Sequence, residues 1–262
     1  MEILGFILAV FIGISLGLMG GGGSILTVPL LVYFFQVNSF IASTYSLIIV
    51  GISSFIGAIP FVRKGHFHLP AIIQLGLPSV IVVYLTKYFL IPIIPNQFST
   101  SSGFVFYSDK LLLVFFSLLL FFAAYAMIRN APKQEERKNI SGFQLVLYGV
   151  LTGFLTGLVG VGGGFIIIPV LVLVCNIPMK KAVGSSLIII VLNSLIGIFA
   201  VRNFADFDQN LLLKISLLSV VGIIIGSLLA KKIDGNRLKK VFGWFIFLIG
   251  IAIFIKEITS YF

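Results

Sequence analysis

Two glycine runs, Gly20 to Gly23 and Gly162 to Gly164, are the residues of this chain best suited to chemistry, and that chemistry is the holding of a small anion. Glycine lets the backbone leave helical geometry without a side-chain clash, so successive amide N–H groups can point into one cavity. A helix beginning just after each run would aim its positive dipole end at the same place. The hydroxyls of Ser24, Thr44, Ser46, Ser185 and Ser186 and the amide of Asn193 add uncharged donors. They could complete a shell without a buried cation, whose cost in a bilayer is a few kcal/mol. The expected substrate-binding set is therefore Gly21, Gly22, Gly23, Ser24, Thr44, Ser46, Gly162, Gly163, Gly164, Ser185, Ser186 and Asn193. The competing reading is close packing, since Gly and Ser also let membrane helices approach and Ser can bond its own i−4 carbonyl.

These residues sit in a duplicated frame. Gly17 to Pro29 (GLMGGGGSILTVP) and Gly157 to Pro169 (GLVGVGGGFIIIP) lie 140 positions apart, and at the same offset Ala42 to Ile49 (ASTYSLII) aligns with Ala182 to Ile189 (AVGSSLII). Ser53-Ser54 aligns with Asn193-Ser194, and Gly57 with Gly197. Each half thus has a glycine break followed by a small, hydroxyl-bearing helix. Pro29 and Pro169 read either as hinges or as first-turn residues of a returning half-helix, the latter needing less energy. Pro78 is the one further proline inside a span; the rest read as terminators.

The elements that must position this frame are membrane spans. With 59% hydrophobic and 10% charged residues and a mean hydropathy of +1.19, the chain has too little polar surface to face water, so the bilayer is its solvent. Apolar runs at 41–62, 69–90, 111–128, 183–201, 211–230 and 241–255 are each near the ~20 residues that cross a bilayer. Two longer regions, 2–35 and 143–175, are cut near the middle by the glycines. If each were a single crossing, the basic loops 129–138 and 231–240 would lie on opposite sides, against the positive-inside rule. If each is a hairpin, thirteen of the 18 Lys and Arg share one side. The expected fold is an all-α polytopic membrane protein of two inverted-topology repeats, each a glycine-broken helical hairpin followed by three transmembrane helices. The first repeat covers 1–128, a basic cytoplasmic linker 129–142, and the second repeat 143–262, with both termini outside a cell membrane, read as a bacterial plasma membrane.

The paired GGG-x5-P segments and the Ala-x3-Ser-Leu helices after them resemble the sulfite exporter TauE/SafE family of membrane permeases over nearly the whole chain. The resemblance implies a secondary transporter for sulfur-containing anions such as sulfite, sulfoacetate and sulfonates. The chain departs from the pattern at Val161, at the absence of a serine matching Ser24, and at Tyr45 in place of a small residue.

Other classes fare poorly. No zinc, thiol-redox, nucleophile-elbow or phosphate-loop motif is present, so neither a catalytic residue, a metal nor a cofactor is expected; an anion channel is the nearer rival and an intramembrane enzyme the more distant one. The net charge of +10 belongs to topology loops rather than to nucleic acid. Expected partners are a small anionic substrate and the lipid bilayer, and a homo-oligomer is compatible with the sequence. Cys175 reads as a small lipid-facing or packing residue, His66 and His68 as solvated or headgroup-level residues, Lys87 as a snorkelling residue near the outer end of its helix, and Phe115, Phe116, Phe121 and Phe122 as lipid-facing bulk.

Overall fold

The computed structural model describes residues 2–95, 97–99, 105–129, 142–160, 162–201, 208–230 and 232–259. Val161, Arg202, Asp206, Lys231 and most of the basic linker expected at 129–142 lie outside the described residues.

Ten helices carry the described chain. They are α1 (Glu2–Met19), α2 (Gly22–Phe34), α3 (Ser39–Arg63), α4 (Leu69–Ile93), α5 (Ser108–Arg129), α6 (Gly142–Val159), α7 (Gly164–Val174), α8 (Met179–Phe199), α9 (Gln209–Ala230) and α10 (Gly235–Thr259). A two-stranded antiparallel ribbon, β1 (Gln97–Ser99) with β2 (Val105–Tyr107), joins α4 to α5. Among the described residues seven helices are long and apolar enough to cross a membrane, and the six expected spans are all among them. The outward faces leave large apolar side chains such as Phe122, Phe199 and Leu248 mostly uncovered, as lipid contact requires.

Each glycine-cut region folds as a helix, a break and a return. In the first, a Cβ at Gly5 would lie 2.7 Å from the Phe35 ring, and one at Gly23 would reach Leu16 at 2.6 Å, so α2 runs back along α1. At ~1.5 Å per residue the 13 residues of α2 span about 20 Å, short of the ~30 Å hydrocarbon core; α7 is shorter still. The returning arms are half-helices. Each starts directly at its glycines, so Pro29 is the eighth residue of α2 and Pro169 the sixth of α7. The first-turn reading of both prolines is therefore corrected: they stand inside the half-helices, where each removes an N–H and crowds the carbonyl four residues back. The π-helical turn Val170–Val174 begins immediately after Pro169. Pro60, expected at a segment end, lies inside α3, which continues to Arg63.

Close backbone approach at small residues sets how the spans pair. A Cβ on Gly17 of α1 would lie 2.5 Å from the Ile223 carbonyl of α9, and one on Gly149 of α6 would lie 2.5 Å from the Leu75 carbonyl of α4. Gly13 meets Ser219 and Gly17 meets Ile223, whereas Gly149 meets Leu75 and Gly157 meets Thr86, so both pairs run parallel. Helices α3 and α8 cross antiparallel, with Gly51 beside Ser194 and Gly197 beside Leu47. Helices α5 and α10 are also antiparallel, with Gly243 beside Ile128 and Gly250 beside Leu120. Equivalent contacts thus recur at the 140-residue offset, for Ser79 and Ser219 are 140 apart and face Gly153 and Gly13 respectively.

Helix ends are held locally. The Asn38 side chain accepts a bond from the Phe40 N–H (2.9 Å) at the start of α3, and His68 Nδ1 accepts from the Ala71 N–H (3.2 Å) at the start of α4. The His66 to His68 segment also packs on α8: the His68 N–H donates to Ser185 Oγ (2.8 Å). Tyr45 reaches the start of α9, its hydroxyl accepting from the Asp208 N–H (2.5 Å).

Of the four phenylalanines expected to face lipid, Phe116 is fully buried and meets Phe165 edge-on with centroids 5.2 Å apart. Phe121 packs edge-on against Phe247 and Phe254 of α10. Phe116 turns inward onto α7 and Phe121 onto α10, whereas Phe122 and Phe115 keep outward positions.

Candidate functional site

The two half-helices begin at the same place. Gly21 and Gly164 meet backbone to backbone, since a Cβ on Gly164 would lie 2.5 Å from the Gly21 Cα. Only glycine permits that approach, and Gly20, Gly160, Gly162 and Gly163 also adopt positive φ of +65° to +75° in turning the chain. Gly162 lies between Val50 and Ile190, 140 positions apart at the middle of α3 and α8, with a Cβ there 3.2 and 3.1 Å from them. Gly20 abuts Val183 and Ser186 of α8, while Gly160 abuts Ser43 of α3. The first N–H groups of any helix lack intrahelical partners. Here both starts are buried, and neither the Gly21 nor the Gly163 cap carries a side-chain hydrogen bond.

The predicted residues divide around this centre. Gly21, Gly22, Gly162, Gly163 and Gly164 lie at the tips, as does Ser24, whose hydroxyl donates back to the Gly21 carbonyl (2.7 Å). Gly23 packs on the Ile12 carbonyl of α1. Ser186 stands beside Gly20 and donates to its own Val183 carbonyl (2.9 Å). The Thr44 hydroxyl donates to the Phe40 carbonyl (3.5 Å), and Ser46 is buried with no hydrogen-bond partner among the described residues. Ser185 faces away from the tips, latching His68 and donating to the Lys181 carbonyl (2.8 Å). Asn193 is paired with Ser79 of α4, Nδ2 to Oγ at 3.0 Å, and so ties two spans together.

Five buried hydroxyls besides Ser46 also lack partners among the described residues: Ser53, Ser54, Thr156, Ser194 and Ser216. Membrane Ser and Thr ordinarily bond their own helix. Position 53 is the equivalent of Asn193, but its shorter side chain makes no cross-helix bond, and Ser219, the counterpart of Ser79, donates to Ala9 instead (3.3 Å). The doubling that exposed the glycines could have exposed this pair too.

Lys87 corrects the expectation of a snorkelling residue. It is 6% exposed, and its Nζ donates to Ser43 Oγ at 2.5 Å, beside Gly160. Its helix does not end near Leu90 but runs to Ile93, and the π-helical turn Thr86–Leu90 changes the face on which Lys87 stands. Glu257 is a second buried ionisable group, accepting from the Tyr33 hydroxyl, while Lys256 Nζ lies 3.5 Å above the Tyr33 ring.

Two cavities open at opposite ends of the bundle. One of about 100 Å³ is lined by Phe61, Lys64, His66, Lys180 and Ser227; the other, about 460 Å³, by Phe6, Phe35, Gln36, Asp208, Asn210 and Lys214. Arg63, Lys64, Lys180, Lys181, Lys232 and Arg237 all belong to the first end, as helix termini there. No group of three or more metal-ligating His, Cys, Asp or Glu occurs among the described residues.

The family model described as "Sulfite exporter TauE/SafE" matches residues 5–253. A protein of Xylella fastidiosa described as a "probable membrane transporter protein" is 29% identical over 255 residues, covering 93% of this chain and 90% of that one. A Methanocaldococcus jannaschii protein with the same description is 29% identical over 245 residues, covering 88% and 84%. YunE of Bacillus subtilis, again a "probable membrane transporter protein", is 26% identical over 284 residues, covering 98% and 100%. No solved structure matches the chain.

Proposed function

Because the chain belongs to the sulfite exporter TauE/SafE family and is a membrane transporter rather than an enzyme, we propose that its cargo is a small sulfur-containing oxyanion or organosulfonate, such as sulfite or sulfoacetate. The observation that carries this reading is the meeting of two buried half-helix starts at Gly21 and Gly164, neither capped by a side chain. Buried N–H groups without partners are costly, and an anion satisfies them while matching both dipole ends. The pairing of α1 with α9, α6 with α4, α3 with α8 and α5 with α10 supports two inverted repeats, 1–128 and 143–262, that rock about this centre between the two cavities. Pro29 and Pro169 are then hinges within the half-helices.

Proteoliposomes loaded with sulfite, sulfate, thiosulfate, sulfoacetate, taurine or small carboxylates test the proposal. Saturable counterflow of a sulfur oxyanion or sulfonate is the expected result. Transport of a cation alone, or unitary currents in place of counterflow, would refute it.

A further inference from the structure

We propose that Lys87 is the cationic anchor of the anion path, an ammonium that Ser43 holds when the path is empty and that pairs with the oxygens of the anion as it reaches the tip of the second hairpin. The inference deepens the anion reading above and rests on it.

Three observations converge on this residue. Lys87 lies within a membrane span yet is 6% exposed, and among the described residues its hydrogen bond runs to a neutral hydroxyl, Ser43 Oγ at 2.5 Å. Among the described residues no carboxylate pairs with it, so none of them balances its charge where an unbalanced charge is most costly. Its surroundings are those of the glycine centre: a Cβ on Gly160 would lie 2.6 Å from the Ser43 Cα, and one on Gly157 would lie 2.6 Å from the Cβ of Thr86, next to Lys87. Thr156, fully buried and without a partner for its hydroxyl, belongs to the same tip, its oxygen against Gly163. A donor cation, an idle hydroxyl and a turn of positive-φ glycines form a place for an oxyanion.

The duplication sharpens the assignment. The position 140 residues after Lys87 is Ser227, which donates to the Ile224 carbonyl of its own helix (2.9 Å), and the counterpart of Ser43 is Val183. Packing alone would let both halves carry the same small residues at these positions. Among the described residues, only one tip carries a cation and a hydroxyl that holds it. A centre made of amides and hydroxyls alone would favour singly charged anions over dianions; an ammonium at one tip offsets more of a dianion's desolvation, so sulfate and thiosulfate come within its range.

Isothermal titration of the purified full-length protein with sulfite, thiosulfate, sulfate and chloride tests this, using Lys87→Met and, as a control at an exposed terminus, Lys232→Met. The unmodified protein and Lys232→Met are expected to bind at least one oxyanion, and Lys87→Met to bind it at least about tenfold more weakly, with a larger loss for sulfate than for chloride. Equal affinity in Lys87→Met overturns the assignment and leaves the anion reading standing. Binding of none of the four anions by the unmodified protein overturns the anchor, and overturns the anion reading as well when sulfoacetate also fails to bind. Should Lys87→Met fail to fold, the unmodified protein is treated with methyl acetimidate with and without thiosulfate, and amidination is mapped by mass spectrometry. Slower modification of Lys87 in thiosulfate supports the anchor; no modification, or equal modification in both, counts against it.

Discussion

A methyl group on Gly22 and a methyl group on Gly163 ask different questions of the same centre. At Gly22 the new carbon would stand 3.3 Å from Met19 Sδ and 3.3 Å from the Phe245 ring, tight contacts with side chains that can shift by tenths of an ångström. Gly22→Ala is therefore expected to keep its membrane expression and melting temperature within a few degrees while cutting anion flux severalfold or more, as measured in proteoliposomes. Gly163 has a φ of +75°, and a Cβ would collide with Thr156 Oγ1. Gly163→Ala should cost about 1–3 kcal/mol and lower the melting temperature, so its loss of transport carries no information about a ligand. Equal loss of folded protein in both variants would make close packing the better account of the first run. The glycines were legible in the sequence because their doubling could be seen without coordinates. Lys87 was not, since hydropathy reports how deep a residue lies along a helix but not which way it faces, and the π turn that changes its face has no plain sequence signal.

Helix pairing explains why Asn193 reads differently in three dimensions. As a lone amide on the helix after the second glycine run, it had the chemistry of a ligand donor; across the α4/α8 contact it finds Ser79 instead. Asn193→Leu is accordingly expected to leave the Ser79 hydroxyl unsatisfied and to destabilise the protein by about 1–3 kcal/mol. Adding Ser79→Ala should recover part of that loss, because no buried polar group is then left alone. Thermal melts of the two single variants and the double variant in detergent measure the coupling; strict additivity would mean that the bond contributes nothing. Six spans were readable from apolar run length, but their neighbours were not. The contacts of α1 with α9 and of α6 with α4 join residues more than 60 positions apart. They depend on which face of each helix carries Gly13, Gly17, Gly149 and Gly153, a pattern that single-helix periodicity leaves ambiguous. The prolines failed as markers for a related reason, because helix starts are set by the glycines and not by the residue with fixed φ.

At the scale of the whole molecule, the bundle separates its charges by end. Arg63, Lys64, Lys180, Lys181, Lys232 and Arg237 gather at one end, whereas the described chain begins and finishes at the other. There Tyr33, near the close of α2, bonds Glu257, near the close of α10. By the positive-inside rule we propose the orientation in which the basic end is cytoplasmic and both termini are outside. Cysteines introduced one at a time test that orientation. A Cys175→Ser background removes the native thiol, although burial already pushes that thiol up to about 11 and keeps it protonated at labelling pH. Lys64→Cys and Lys232→Cys are expected to be shielded from an impermeant maleimide in intact cells and to react after permeabilisation. Gln36→Cys and Asn210→Cys, at the larger cavity, are expected to react before it. Labelling of Lys64→Cys and Lys232→Cys from outside, with Gln36→Cys and Asn210→Cys protected, would invert the molecule in the membrane while leaving its helix pairing intact. Labelling of one basic-end position but not the other would break the pairing itself, because α3, α8, α9 and α10 could not then share an end, and the two repeats could not rock about a common centre.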